Sequence, residues 1–369
     1  MRGVYRHIHV DTSKPLSEAK DGGHNRWHPA IAPLARVPPN EVIALDLRNG
    51  MDAQFTVESD ATWSSPHGGR GGSPMTGPLY IERAEPGDLL EIEIAGIRTS
   101  SFGFTCIVPG FGLLGERFGE PFLVKWDIEN NLARSRDLPG VAIPGRPFIG
   151  LMGVAPSEGR LAQIAERERE LARRATGLRL PDPEGAVPES GVGAVFGLRP
   201  LPPREIGGNM DIRQLGVGSR LTLPVDVPGA LFSAGDPHFA QGDGEACGVA
   251  IETSATVQLR FNVVKSADVT WRPKYPSLTF SEPAQRKRCK YVATTGLPID
   301  SRGRNDYMNL NLAAAVAVEE MVSYLTAVRG LTRNQAYVLI SVAADLRISE
   351  VVDIPNALVS VILPLDIFD

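Results

Sequence analysis

The stretch GDPHFAQGDGE, residues 235–245, gathers groups that could do chemistry. His238, one of six histidines in the chain, stands among Asp236, Asp243 and Glu245, with glycines at the bends. Upstream, GGNMDI supplies Asn209 and Asp211. Hard oxygen donors with one imidazole suit a borderline divalent cation such as Zn²⁺. Water on a catalytic zinc ionises near pH ~7, and a further carboxylate can take that proton and deliver it to a leaving amine. The competing readings are a solvated acidic turn and a Ca²⁺-binding one.

Two further stretches could border such a site. In HNRWHP, His24 and His28 are four residues apart, but Pro29 and the absence of an intervening glutamate argue against a metal-binding helix. On a loop, the two histidines would line the substrate side with Trp27 as an apolar wall. The glycine-rich SPHGGRGGSPMTGP, residues 65–78, does not fit a phosphate loop, yet it can offer backbone N–H groups to a developing oxyanion. No GxSxG elbow or serine–lysine signature is present. Cys106 lies in an apolar strand pattern, where a thiol is buried and inert.

These groups need a frame, and short strands supply it. EVIALDLRNG, GPLYIERAEPGDLLEIEIAGIRT, SRLTLPVDV and TVQLRFNVVK alternate apolar and polar residues with the period of half-buried strands. Pro86 and Gly87 suit the two central positions of a turn in AEPGD. A helix is expected over 157–177, with Leu161, Ile164, Ala165, Leu171, Ala172 and Ala175 along one side, Glu168 within that stripe and Gly177 as its stop. A Pro/Gly-rich connection follows. LNLAAAVAVEEMVSYLTAVRG and LTRNQAYVLISVAADLRIS then read as a helical hairpin docked on the β body, the second helix opened by a Thr332/Gln335 capping box. The expected fold is mainly β with α decoration: a pseudobarrel or sandwich of many short strands plus a C-terminal helical hairpin. One large unit is expected, divided into 1–156, a helix and connection over 157–206, a site-bearing β part over 207–265, and an insertion with the helical part over 266–369.

Composition narrows the partners. The net charge of −5 gives no reason to expect nucleic acid or an anionic membrane, and the basic run RKRCK is short. Three scattered cysteines form no CxxC pair, which fits free thiols in a reducing compartment. Without a signal-like N-terminus or an uncharged apolar run of about 18 residues, a cytoplasmic location is expected.

In order along the chain, HNRWHP, TGPLYIERAEPGD, GFTCIVPGFGLLGERF, PFIGLMGVAPSEG, PPREIGGNMDI, GSRLTLPVDVPGALFSAGDPHFAQGDGE, CGVAIETSATVQLRF and AYVLISVAADLRISEVVDIPN resemble the acetamidase/formamidase family. The resemblance implies hydrolysis of the C–N bond of small non-peptide amides, with γ-lactams opened by some relatives. It also implies a zinc-associated site, a β-rich fold and homo-oligomers. On chemical grounds, Asp211, Asp236 and His238 are then the expected ligands. Glu245 is the expected general base supported by Asp243, with His24, Trp27, His28 and Asn209 on the substrate side. The looser SPHGGRGGSPM and the insertion SEPAQRKRCKYVATTG depart from the family pattern and leave a bulkier amide or a lactam open as substrate. A binding protein for small amides is the alternative from another class. The density of ionisable groups argues against it, because recognition of a neutral amide needs no such cluster.

Overall fold

The computed structural model describes residues 3–19, 22–64, 72–174, 180–281 and 289–369. Its first strands are β1 Arg6–Ile8, β2 Ala35–Val37, β3 Val42–Leu47, β4 Thr76–Ile81, β5 Leu89–Thr99 and β6 Phe102–Ile107. β7 Phe122–Glu129, β8 Leu132–Arg134, β9 Ala142–Pro144 and β10 Phe148–Gly153 follow. Helices α1 Glu158–Ala172 and α2 Val192–Phe196 precede β11 Gly207–Asn209, β12 Arg220–Pro224, β13 Phe232–His238, β14 Ala255–Val264 and β15 Ser277–Thr279. The chain closes with β16 Tyr291–Gly296, helices α3 Leu310–Arg329 and α4 Arg333–Ala343, β17 Asp345–Glu350 and β18 Leu358–Pro364.

Strand alternation translates directly into layers. A sheet ordered β1-β3-β14-β5-β12-β15 faces one ordered β11-β10-β13-β4-β2. The inward residues of both, among them Leu45, Ile92, Leu259, Leu79, Leu151 and Phe232, form one buried core. This is the sandwich expected of period-2 strands with one apolar face. Between β4 and β5 the chain turns at Glu85–Asp88, where the Asp88 N–H donates to the Glu85 carbonyl and Gly87 takes a φ of 94°. A second core lies between the β6-β7-β8-β9 sheet, the α3/α4 pair and the β16-β18-β17 sheet, with Trp126, Tyr337, Met321 and Val361 at its centre.

The helices follow their sequence signals with two differences. The capping box is formed: Thr332 Oγ1 accepts from the Gln335 backbone, and the Gln335 side chain accepts from the Thr332 N–H. In α1 only Leu161 and Ile164 are buried while Leu171 is exposed; Ala175 and Gly177 lie outside the described residues. The second difference concerns the reach of α4, which stops at Ala343, after which Asp345–Glu350 pairs with β18 as a strand. The segment 346–349 leaves Arg347, Ile348 and Ser349 exposed and offers no helical apolar stripe, so pairing with β18 wins once the helix has buried its apolar run. α3 is long and apolar enough to cross a membrane. Here, however, Ala313, Ala317, Val318, Met321, Val322 and Leu325 face the second core, and Arg117 and Arg333 pair with its Glu319.

Candidate active site

The two cores meet at the end of β13. This strand is buried along its whole length between β10 and β4, and its last residues include Asp236 and His238. Beyond His238 the chain leaves the sandwich, and Phe239, Ala240, Ala246, Cys247, Val249 and Ile251 enter the second core. It then returns so that Glu252 pairs with both His238 and Phe104 through single bridges. Glu252 is thereby brought against the imidazole from the strand that follows.

Five side chains converge at this seam. His238 Nε2 lies 3.2 Å from Asp236 Oδ1 and 3.1 Å from Glu252 Oε1. The ligand-capable atoms of Asp211, Asp236 and His238 all lie within 4.8 Å of one another, as do those of His238, Glu245 and Glu252. Asp211 and Glu245 lie close enough for each to bear on the other's charge, so four carboxyl groups surround one imidazole. Asp236, His238 and Glu252 are almost fully buried.

The backbone holds this arrangement in conformations that most residues avoid. Asp211, Asp236 and Glu245 have φ of 48°, 55° and 42°, the left-handed region that costs a non-glycine residue about 1–2 kcal/mol. Such strain persists only where surrounding contacts impose it. The Asp211 N–H donates to the Gly150 carbonyl on β10, and the Asp236 N–H to the Arg48 carbonyl. The loop carrying Glu245 is fixed by the C-terminal elements: the Gly242 N–H donates to the Ser341 carbonyl and the Leu346 N–H to the Asp243 carbonyl. Two glycines make the close approach possible. A Cβ at Gly150 would sit 2.6 Å from Asp211 Oδ1 and 3.1 Å from His238 Cε1, and one at Gly50 would collide with Asp236 Oδ1.

Burial and mutual repulsion among the carboxylates dominate the electrostatics of the cluster, with His238 as their counter-charge. Burial, then the charges of neighbouring carboxylates, pushes Asp211 and Glu252 up to about 7 and Glu245 well above the ordinary carboxyl range. Burial opposes the charged imidazole of His238, but Glu252 and Asp236 outweigh it and hold its pKa well above the usual value. Burial likewise opposes the Asp236 carboxylate, yet His238 keeps its pKa lowered.

Gln241 sets the histidine's orientation. The Gln241 side-chain N–H donates to the Asp211 carbonyl oxygen at 2.9 Å, so its Oε1 is the atom facing His238 Nδ1, also at 2.9 Å. Nδ1 therefore carries a proton and Nε2 points into the carboxylates. Asp211 Oδ1, Asp236 Oδ1 and His238 Nε2 are buried with no hydrogen-bond partner of good geometry. Three orphaned donor atoms converging in this way, one nitrogen and two oxygens, fit a divalent cation.

The other expected site residues divide. Asn209 joins the cluster by donating to Asp211 Oδ2 at 2.6 Å, which leaves its own Oδ1 buried and unpartnered. Asp243 is directed elsewhere: its Oδ1 lies 2.9 Å from Arg213 Nε, and Arg213 also grips Asp345. His24 is a structural residue, with Nδ1 2.6 Å from the Arg26 carbonyl and Nε2 2.7 Å from Ser233 Oγ. Ser233 pairs with Gly153 while His238 pairs with Phe148, so His24 stands about 16 Å along the strand from His238. Trp27 packs over Gly153 at the same far end. His28 accepts from the Ala30 N–H and lies beside Gly193 in α2. Of the glycine-rich stretch, residues 65–71 lie outside the described residues, and residues 76–78 open β4. Cys106 is buried, its thiol pushed well above the ordinary range by burial, as its strand pattern implied.

Sequence reasoning missed Glu252 and Gln241. Glu252 sits in CGVAIETSATVQLRF, where a lone acid before a strand gives no local signal. Gln241 lies three residues after His238, and that spacing could have suggested it as a partner for the ring.

Known proteins share both the sequence and this architecture. The chain is 32% identical to the acetamidase of Mycolicibacterium smegmatis over 90% of this chain and 88% of that protein. It is 31% identical to the formamidase of Methylophilus methylotrophus over 98% of this chain and 93% of that one. Its fold superposes on the γ-lactamase from Delftia acidovorans with a TM-score of 0.92 at 31% identity, covering 99% of this chain and 93% of that one. The acetamidase/formamidase family model matches residues 9–369. The chain with this carboxylate–histidine seam therefore belongs to the acetamidase/formamidase family, and it is an amide hydrolase acting on carbon–nitrogen bonds.

Proposed function

We propose that the seam hydrolyses a small non-peptide amide of the formamide or acetamide type, with Asp211, Asp236 and His238 holding a divalent cation, Zn²⁺ by donor chemistry. The observation that carries this reading is the convergence of three orphaned donor atoms beside two further carboxyl groups. When bound, the cation would polarise the amide carbonyl and acidify water. Glu245, half-buried beside His238 and Glu252, is the group placed to take a proton from water and return it to the leaving nitrogen. Glu252, fixed by the Gly50 and Ala250 N–H groups, holds the imidazole from the opposite side. Asn209 Oδ1, buried and free, can accept an N–H from the substrate amide.

The experiment is a hydrolysis panel of formamide, acetamide, longer amides and γ-lactams, run with and without chelator. Ammonia release that chelation abolishes and Zn²⁺ restores is the expected result. Full turnover by metal-free protein would remove the cation from the scheme.

The close superposition on a γ-lactamase favours a second reading, opening of a cyclic amide. There the amine stays tethered to the acid, so an amino acid forms and no ammonia appears. Following both products in one panel separates the two substrates.

Two broader assignments belong with this reading. Val192, Val195 and Phe196 expose apolar surface on α2, which a homo-oligomer would cover, and light scattering of the purified protein tests that. Three free cysteines fit a cytoplasmic, reducing location, which fractionation of the source cells would check.

A further inference from the structure

A second group of metal-capable side chains lies on the outer face of the sandwich. β1 runs parallel to β3 with His7 opposite Ala44 and Ile8 opposite Leu45. Ile8 points into the core, so His7 and His9, two residues apart, both face outward. Continuing the register brings His9 level with Asp46, and Asp46 in turn pairs with Thr256 on β14. β1 and β3 thus set two imidazoles and a carboxylate on one patch, with Thr256 of β14 beside them.

The contacts are close. His7 Nε2 is 2.9 Å from Asp46 Oδ1, and His9 Nδ1 is 3.0 Å from Asp46 Oδ2. All three ligand-capable atoms lie within 4.8 Å of one another. Donors held ~2.0–2.2 Å from a tetrahedral zinc stand ~3.3 Å apart, so little adjustment is needed to place an ion among them. The carboxylate is already fixed, since Thr256 Oγ1 donates to Asp46 Oδ1 at 2.8 Å. The imidazole rings lie 3.5 Å apart, centroid to centroid. His9 is 74% exposed as a side chain, so water could solvate it freely, yet it folds back onto the carboxylate that already holds His7.

We propose that His7, His9 and Asp46 form a second divalent-cation site, distinct from the catalytic seam, that takes a borderline cation such as Zn²⁺. Two imidazoles and a carboxylate are a donor set of that class, and the exposed side at His9 leaves room for water as a further ligand. Asp46 points away from the buried face of β3 that carries Leu45 and Leu47, and His7, His9 and Asp46 share no member with the seam's ligand-capable groups. The two are therefore separate donor sets. A cation here ties edge strand β1 to the sheet.

The test compares full-length wild type, His9→Asn, His7→Gln/His9→Asn, and His238→Ala with and without His9→Asn. Each is stripped with chelator, dialysed against Zn²⁺ and assayed for bound metal. The comparison is a difference between proteins, so it holds whether or not the seam binds an ion. Wild type should retain one equivalent more than His7→Gln/His9→Asn, and His238→Ala should lose an equivalent when His9→Asn is added. Zn²⁺ should raise the Tm of His238→Ala and leave that of His238→Ala/His9→Asn unchanged. Wild-type rates of amide hydrolysis in His9→Asn certify its fold. Equal zinc content in wild type and His7→Gln/His9→Asn, or a Tm response that survives His9→Asn, overturns the proposal.

Discussion

Gln241 holds His238 by accepting the imidazole Nδ1–H at 2.9 Å, while its own amide is locked by the Asp211 carbonyl. One neutral side chain thus fixes the tautomer of the seam's imidazole and ties it to the segment carrying Asp211. Outer partners of this kind orient metal ligands and raise their basicity.

Removing that support should be felt first in metal affinity. Gln241→Leu is expected to weaken Zn²⁺ binding ~10–100-fold and to lower kcat/KM in parallel. A competition titration against a chromophoric chelator measures the first quantity. Unchanged affinity would show that the ring is held by the carboxylates alone.

The ligands and the proton carrier should separate by readout. His238→Ala is expected to lose bound metal and turnover together. Glu245→Gln should keep its metal while kcat falls ~10²–10⁴-fold, the range for loss of a general acid–base group. If Glu245→Gln instead loses metal as His238→Ala does, Glu245 is a ligand and the proton carrier must be sought at Glu252.

Gly150 should tolerate no side chain. The added Cβ of Gly150→Ala would stand 2.6 Å from Asp211 Oδ1 and 2.9 Å from the Asp236 carbonyl. Overpacking of this kind costs about 1–3 kcal/mol, and displacement of Asp211 should abolish hydrolysis in a protein that still folds. Urea unfolding and the amide assay together check this, and wild-type activity would contradict it.

His24 gives the fold a defined pH response. Burial lowers its pKa to about 4, against 6.5 for an exposed ring. Between those values the unfolded chain binds the extra proton and the native state does not, so this contribution is complete above pH 6.5 and is lost as pH falls toward 4. The loss amounts to about 3 kcal/mol. Asp211 and Glu252 have raised pKa values, so their contribution has the opposite sign. The measurement is therefore the difference in unfolding free energy between wild type and His24→Gln, at about pH 7 and about pH 4.5. That difference should shrink with acid, and a difference independent of pH would refute the assignment.

The sequence carried the fold in its strand alternation because a sandwich of half-buried strands writes its inner face at every second residue. It carried the capping box of α4 for the same local reason. The change from helix to strand at Asp345 was not legible, since helix-forming and strand-forming residues abut there and only pairing with β18 decides. In the site, Asp211, Asp236, His238 and Glu245 were visible as chemistry-bearing residues in two short motifs. Glu252 was not, because its place depends on bridges to His238 and Phe104 across the fold. His24 and Trp27 misled for the opposite reason. Residue types that suit an active site are equally suited to a buried hydrogen-bonded corner, and sequence does not show that Ser233 waits for the imidazole.

The seam between the two cores also bears on how the site is assembled. Asp236 belongs to the sandwich, whereas the loop bearing Glu245 is pinned by Ser341 of α4 and Leu346 of β17. A chain whose sandwich is folded but whose α4 and β17 are unpacked holds half a constellation. The constellation is therefore complete only when the two cores are packed together, and a change that unpins α4 or β17 reaches Glu245 without touching the sandwich.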